Sequence, residues 1–175
     1  IEYNINYNLD GGINNQINPL TYNVEDNIVL ADPMKDGYIF RGWFKESTFE
    51  NEVTGINLQY YGNPYNLYAK WELATYNINY QLYGGTNNVG NATSYTILDN
   101  ETTLAPIYTD GYIFVGWFDS ENTDANKITK FGDLNLENAD IYAKWDYVVY
   151  TITYHDTREA INTNVTSYTI ATEDI

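Results

Sequence analysis

The chain has 175 residues, with 24 acidic against 8 basic side chains and a formal net charge of −16. That balance argues against nucleic acid and against anionic membrane surfaces as partners. It contains no cysteine and one histidine, which excludes disulfides and thiolate metal sites and leaves nucleophilic catalysis without its usual parts.

The chain opens on Tyr3-Asn-Ile-Asn-Tyr-Asn-Leu9, a strict apolar–polar alternation. A period of two predicts a strand with Tyr3, Ile5, Tyr7 and Leu9 on one face and Asn4, Asn6 and Asn8 on the other. Asp10-Gly11-Gly12 ends it. The pattern returns as Tyr76–Leu82 followed by Tyr83-Gly84-Gly85, and Tyr150–Tyr154 starts a third copy without the glycine pair. Gly-Gly is a hairpin signal. As a phosphate cradle it lacks the following helix pattern and the Lys-Ser/Thr step. A second strand is predicted near Leu20–Val24, with counterparts at Ser94–Ile97 and Ser167–Ile170. Pro33 and Pro106 keep the segment that follows from continuing as a helix.

The strongest motif comes next. Asp36-Gly-Tyr-Ile-Phe-Arg-Gly-Trp-Phe44 recurs as Asp110-Gly-Tyr-Ile-Phe-Val-Gly-Trp-Phe118, an offset of 110 − 36 = 74 residues, with Arg41 against Val115 as the sole difference. This is an internal repeat. Gly37 and Gly111 supply turn chemistry. Tyr38 and Phe40, with Tyr112 and Phe114, favour a half-buried pleated surface. Gly42 and Gly116 inside a strand pattern predict a bulge that turns Trp43 and Trp117 into the core. A ligand-platform role for these tryptophans is the alternative.

After this strand the copies diverge. Residues 45–64 and 119–138 share little and are expected to be surface loops. The first copy carries Tyr60, Tyr61 and Tyr65, which either stack on a sugar ring or cover the edge of a small core; the second role is the expected one. Each copy closes with Leu67-Tyr-Ala-Lys-Trp71 or Ile141-Tyr-Ala-Lys-Trp145. Alternation places Trp71 and Trp145 on the core face. Linkers at 72–75 and 146–149 contain no Gly, Pro or Ser run. Four extended residues reach at most about 14 Å, so a restricted, elongated pair is expected.

The repeat predicts three segments: 1–72, 73–146 and a truncated copy at 147–175. Domains of this size need densely filled cores, here aromatic. No clear amphipathic helix of more than about ten residues is visible, so a strand-dominated fold with at most short helical turns is expected. No calcium-binding loop pattern occurs, and the acids that repeat, such as Asp36 and Asp110, sit at turns. No metal or cofactor is expected. His155 reads as a half-exposed strand residue.

Tyr-x-Ile-x-Tyr, Gly-Gly, Gly-Tyr-Ile-Phe-x-Gly-Trp-Phe and Tyr-Ala-Lys-Trp, in this order over some 70 residues, resemble the Listeria–Bacteroides repeat, also called the internalin B-repeat. The resemblance covers 1–72 and 73–146 in full and only the start of a copy at 147–175. It implies tandem β-grasp (ubiquitin-like) modules of a β-rich α+β class, found in secreted or cell-surface bacterial proteins, with structural rather than catalytic motif residues. A non-enzymatic spacer next to other domains of a longer chain is the expected role, and Ile1 and Ile175 falling inside the pattern fits such a segment. An adhesion or glycan- or protein-binding module using Tyr60, Tyr61 and Tyr65 is the alternative. No signal peptide or membrane-inserting run occurs in these residues. Because a two-stranded hairpin is marginal alone, 147–175 is expected to pair with a sheet edge of the second repeat or of another molecule.

Overall fold

The computed structural model describes residues 1–57, 64–155 and 163–172. The chain divides into two compact units, Ile1–Thr75 and Tyr76–Ile175. In the first, the opening alternation forms β1 (Tyr3–Asn8), followed by β2 (Thr21–Tyr22), β3 (Ile28–Val29), β4 (Tyr38–Phe44), β5 (Glu52–Val53), β6 (Gly55–Ile56) and β7 (Tyr65–Leu73). The main sheet runs β2-β1-β7-β4-β5, and β3 pairs with β6 separately. The closing strand β7 lies at the centre, parallel to β1 with Ile5 opposite Tyr65 and Asn8 opposite Tyr68, and antiparallel to β4.

The second unit repeats this with β8 (Tyr76–Gln81), β9 (Ser94–Tyr95), β10 (Tyr112–Phe118), β11 (Lys127–Ile128) and β12 (Ala139–Tyr147), in the order β11-β10-β12-β8-β9. Two single helical turns, Ile97–Asp99 and Phe131–Asp133, are the helical elements among the described residues. The fold is strand-dominated, as the patterning predicts.

Strand alternation sets the core. Ile5, Leu67, Ala69 and Trp43 are buried in the first unit, and Ile78, Ile141, Ala143 and Trp117 in the second. The glycine before each tryptophan makes the predicted bulge. Gly42 has φ +118° and the β4–β7 register slips between Phe40 and Trp43; Gly116 has φ +149° and the β10–β12 register slips between Phe114 and Gly116. A left-handed residue inserted in one strand turns the next side chain inward, and both tryptophans are 2 % exposed.

Two sequence expectations need correction. The divergent stretches are not only surface loops: Val53, Ile56, Ile128 and Phe131 come from them and are buried. The linkers are also shorter than the pattern suggests, because β7 runs on to Leu73 and β12 to Tyr147. Their extension is held by backbone bonds from Ala74 N–H to Gly37 O (2.9 Å) and from Val148 N–H to Gly111 O (3.0 Å).

The third segment forms its own two-stranded sheet, β13 (Tyr150–Thr151) with β14 (Ser167–Tyr168). Among the described residues β13 and β14 pair with each other and are not part of the sheet of the second repeat. The segment is counted within the second compact unit.

Candidate functional site

The four tryptophans are the first candidates for ligand contact, and each indole N–H is already engaged. Trp43 donates to Ala31 O at 3.2 Å and Trp117 to Ala105 O at 2.9 Å. Trp71 donates to Leu9 O at 2.9 Å and Trp145 to Leu82 O at 3.1 Å. A buried indole needs such an acceptor. Phe40 meets both Trp43 and Trp71 edge-on, and Phe114 meets Trp117 and Trp145 in the same way. These rings are packing residues.

The carbonyls of Ala31 and Ala105 are held by a residue that the sequence reading missed. Asn18 and Asn91 are 6 % and 7 % exposed. Asn91 donates to Ala105 O at 3.0 Å and to Asn87 Oδ1 at 2.9 Å, and accepts from Ala105 N–H at 2.7 Å. Asn18 does the same with Ala31 and Asn14. The signal was available: Asn14 and Asn18 recur as Asn87 and Asn91 at 91 − 18 = 73 residues.

The glycine pairs serve folding too. Gly11 and Gly84 take φ +84° and +92° in the turn. The second glycine of each pair is kept bare by a ring: a Cβ on Gly12 would stand 2.6 Å from Trp71 Cζ2, and one on Gly85 2.7 Å from Trp145 Cζ2.

Of the three tyrosines singled out for binding, Tyr60 and Tyr61 lie outside the described residues. Tyr65 is 7 % exposed, on β7, with its ring 6.2 Å from that of Tyr22. Its burial fits the expected core-covering role and not the alternative, an exposed platform for a ligand. In the second unit β12 carries Ala139 opposite Ile78, where β7 carries Tyr65 opposite Ile5. There Tyr95, the counterpart of Tyr22, packs instead on Phe131, 5.5 Å away. The two copies therefore fill one place in the core from different parts of the chain.

Surface concavities remain. A cleft of about 490 Å³ is lined by Tyr83, Glu121, Thr123, Tyr142 and Lys144. A cleft of about 560 Å³ lies at the matching place in the first unit, beside Asp10, Ser47, Phe49 and Tyr68. In the former, the Tyr83 hydroxyl donates to Glu121, which with some desolvation pushes its pKa up to about 12, and Lys144 donates to Asn122 O. A third cleft of about 740 Å³ includes Asp119, Asp133 and Asp140. These carboxylates are spent locally. Asp133 accepts from the N–H and hydroxyl of Thr129, which hold its pKa below the usual value; Asp119 accepts from Asn126, and Asp140 from Asn79. Among the described residues no cluster of three His, Asp or Glu is placed to hold a metal ion.

The Listeria-Bacteroides repeat domain matches residues 3–70 and 76–144. A protein of Evansella cellulosilytica named "Putative Gly-rich membrane protein" is 28 % identical over 158 residues, 87 % of this chain and 17 % of that protein. Another from the same organism, "Putative membrane protein", is 29 % identical over 141 residues, 78 % of this chain and 20 % of its own length. The chain thus spans a fifth or less of these relatives. No solved structure matches. Among the described residues no helix is long and apolar enough to cross a membrane. With both strand-built units matched, and those matches covering well over half of its length, the chain belongs to the Listeria-Bacteroides repeat family.

Proposed function

We propose that this chain is a non-catalytic spacer within a larger, surface-associated bacterial protein, each unit being a β-grasp module that holds other domains apart. The observation that carries the reading is the inward direction of the repeated motif. Trp43, Trp71, Trp117 and Trp145 all give their N–H to a carbonyl of their own unit. A motif retained for recognition would place such side chains at the surface. The β-grasp assignment is supported by the sheet order β2-β1-β7-β4-β5 with a parallel central pair. It departs from that fold in having no α-helix between β2 and β4.

The recognition alternative keeps Tyr60 and Tyr61 and loses Tyr65 to the core. A binding screen of residues 1–175 against glycans, bacterial wall polymers and extracellular-matrix proteins tests both readings. The spacer reading expects no reproducible binding. A hit abolished by Tyr60→Ala or Tyr61→Ala overturns it in favour of recognition.

A further inference from the structure

The third segment repeats the opening hairpin of the two complete copies. Tyr150 pairs with Tyr168 as Tyr3 does with Tyr22 and Tyr76 with Tyr95. Ile152 N–H donates to Thr166 O at 2.8 Å, matching Ile5 to Leu20 at 2.8 Å and Ile78 to Thr93 at 2.8 Å. The Tyr154 hydroxyl donates to Val165 O as Tyr7 does to Pro19 O and Tyr80 to Ala92 O. Yet Tyr168 is 39 % exposed where Tyr22 and Tyr95 are 3 % and 1 %. The same local structure stands here with little of the burial that accompanies it in the complete copies.

What it stands against is the Asp110-Gly111 turn. A Cβ added to Gly111 would meet Ile170 Cδ1 at 2.9 Å, its Cβ at 3.2 Å and its Cγ2 at 3.4 Å. Gly111 O also accepts from Val148 N–H at 3.0 Å, which fixes the chain entering β13. Beside it the Tyr108 hydroxyl donates to Asp110 Oδ1 at 2.7 Å; that bond raises the Tyr108 pKa, and nearby Tyr150 adds to the rise.

We propose that Gly111 is a docking seat as well as a turn residue: this bare Asp-Gly turn receives the hairpin of β13 and β14, with Ile170 as the side chain it receives. The partner it fits is a tyrosine-paired hairpin ending Ser-Tyr-Thr-Ile, as at 167–170. This deepens the spacer reading and rests on it for its meaning, since a spacer gains stiffness where a hairpin is gripped by the repeat before it. The positive φ of Gly111, +79°, accounts for glycine in the turn. It does not account for the Ile170 side chain, which leaves no room for a Cβ on this residue.

The test is backbone ¹⁵N relaxation and amide hydrogen exchange on residues 1–175. In the wild-type protein the β13 and β14 amides are expected to share the correlation time of β8–β12. Ile170→Ala, at a residue 55 % exposed, is expected to give the hairpin a shorter correlation time of its own and to speed exchange at Val148 N–H about tenfold. Gly111→Ala should do the same. Gly84→Ala is the control, a left-handed glycine whose Cβ meets nothing within 4 Å, and should leave the hairpin docked. If Gly111→Ala does not fold, Ile170→Ala carries the test alone. A hairpin that tumbles independently in the wild type, or that is unmoved by Ile170→Ala, overturns the proposal. A ligand found in the binding screen would overturn the spacer reading and leave this contact as measured, so the two failures are distinguishable.

Discussion

Asn91 grips both backbone groups of Ala105, donating to its carbonyl at 3.0 Å and accepting from its N–H at 2.7 Å. The same carbonyl takes the indole N–H of Trp117. One buried amide thus ties the loop after β8 to the segment before β10 and positions the acceptor that orients the central tryptophan. Asn18, Ala31 and Trp43 repeat the arrangement.

Asn91→Ala is expected to strand the Ala105 N–H in the interior and to cost on the order of 2–3 kcal/mol. Urea unfolding of wild type and variant, followed by tryptophan fluorescence, reads it. A loss near zero would mean that water replaces the side chain.

The two glycines of each pair should fail differently. Gly12→Ala drives a methyl into Trp71 and the Met34 and Leu9 carbonyls, and overpacking of this kind costs about 1–3 kcal/mol. Gly84→Ala meets open space, so its cost is left-handed strain of about 1 kcal/mol. Thermal unfolding should separate them, and Gly12→Ala should also shift Trp71 emission.

Alkali should unfold the protein through its tyrosines. Burial pushes the Tyr7 and Tyr80 phenols from their ordinary 10.0 up to about 12. Their hydroxyls donate to carbonyls, and an ionised phenol has no proton to give. The folded state therefore holds protons that the unfolded chain releases above pH 10. This stabilisation is complete below that pH and is lost as pH rises toward 12. A tyrosinate absorbance titration should show a late phase coinciding with loss of structure. Tyr7→Phe should move that transition upward in pH, and an unchanged transition would count against burial as its cause.

Arg41 and Glu72 form an exposed pair at 2.6 Å, and the second copy does without it, having Val115 at the matching position. Exposed pairs contribute little. Arg41→Val is expected to leave the thermal midpoint unchanged at low and at high salt; a salt-dependent drop would show the pair to be structural.

Tyr65→Ala should behave as a core truncation, costing about 3–5 kcal/mol, because the ring fills the space beside Tyr22. Ala139→Tyr in the second unit should also destabilise, since Phe131 already occupies that place beside Tyr95. A neutral outcome for either would mean the cavity is not shared in this way.

Much of this was legible in the residues. The alternation at Tyr3–Leu9 fixed the buried face, and the glycine before each tryptophan marked the bulge, because both signals are local. Val53, Ile56, Ile128 and Phe131 were not legible: they come from two-residue strands or a single helical turn, too short to display a period, in segments where the two copies differ. The burial of Tyr65 follows from the same alternation, which runs back from Trp71 through Ala69 and Leu67 to reach it. Asn18 and Asn91 were hidden because an asparagine among asparagines carries no burial signal of its own. The seat of Ile170 on Gly111 joins residues from different copies, which no comparison between copies aligns.

The placing of β7 beside β1 has a mechanical consequence. The two strands run parallel, so the chain enters a unit at one pole of this pair and leaves at the other. Tension carried along the backbone then pulls β1 and β7 in opposite directions along their shared ladder, and the bonds from Ile5–Tyr65 to Asn8–Tyr68 take the load together instead of peeling one at a time. Forced unfolding is governed by the barrier to rupture and not by equilibrium stability. Each unit is thus arranged to resist stretching with the strongest part of its sheet, and β8 beside β12 gives the second unit the same resistance.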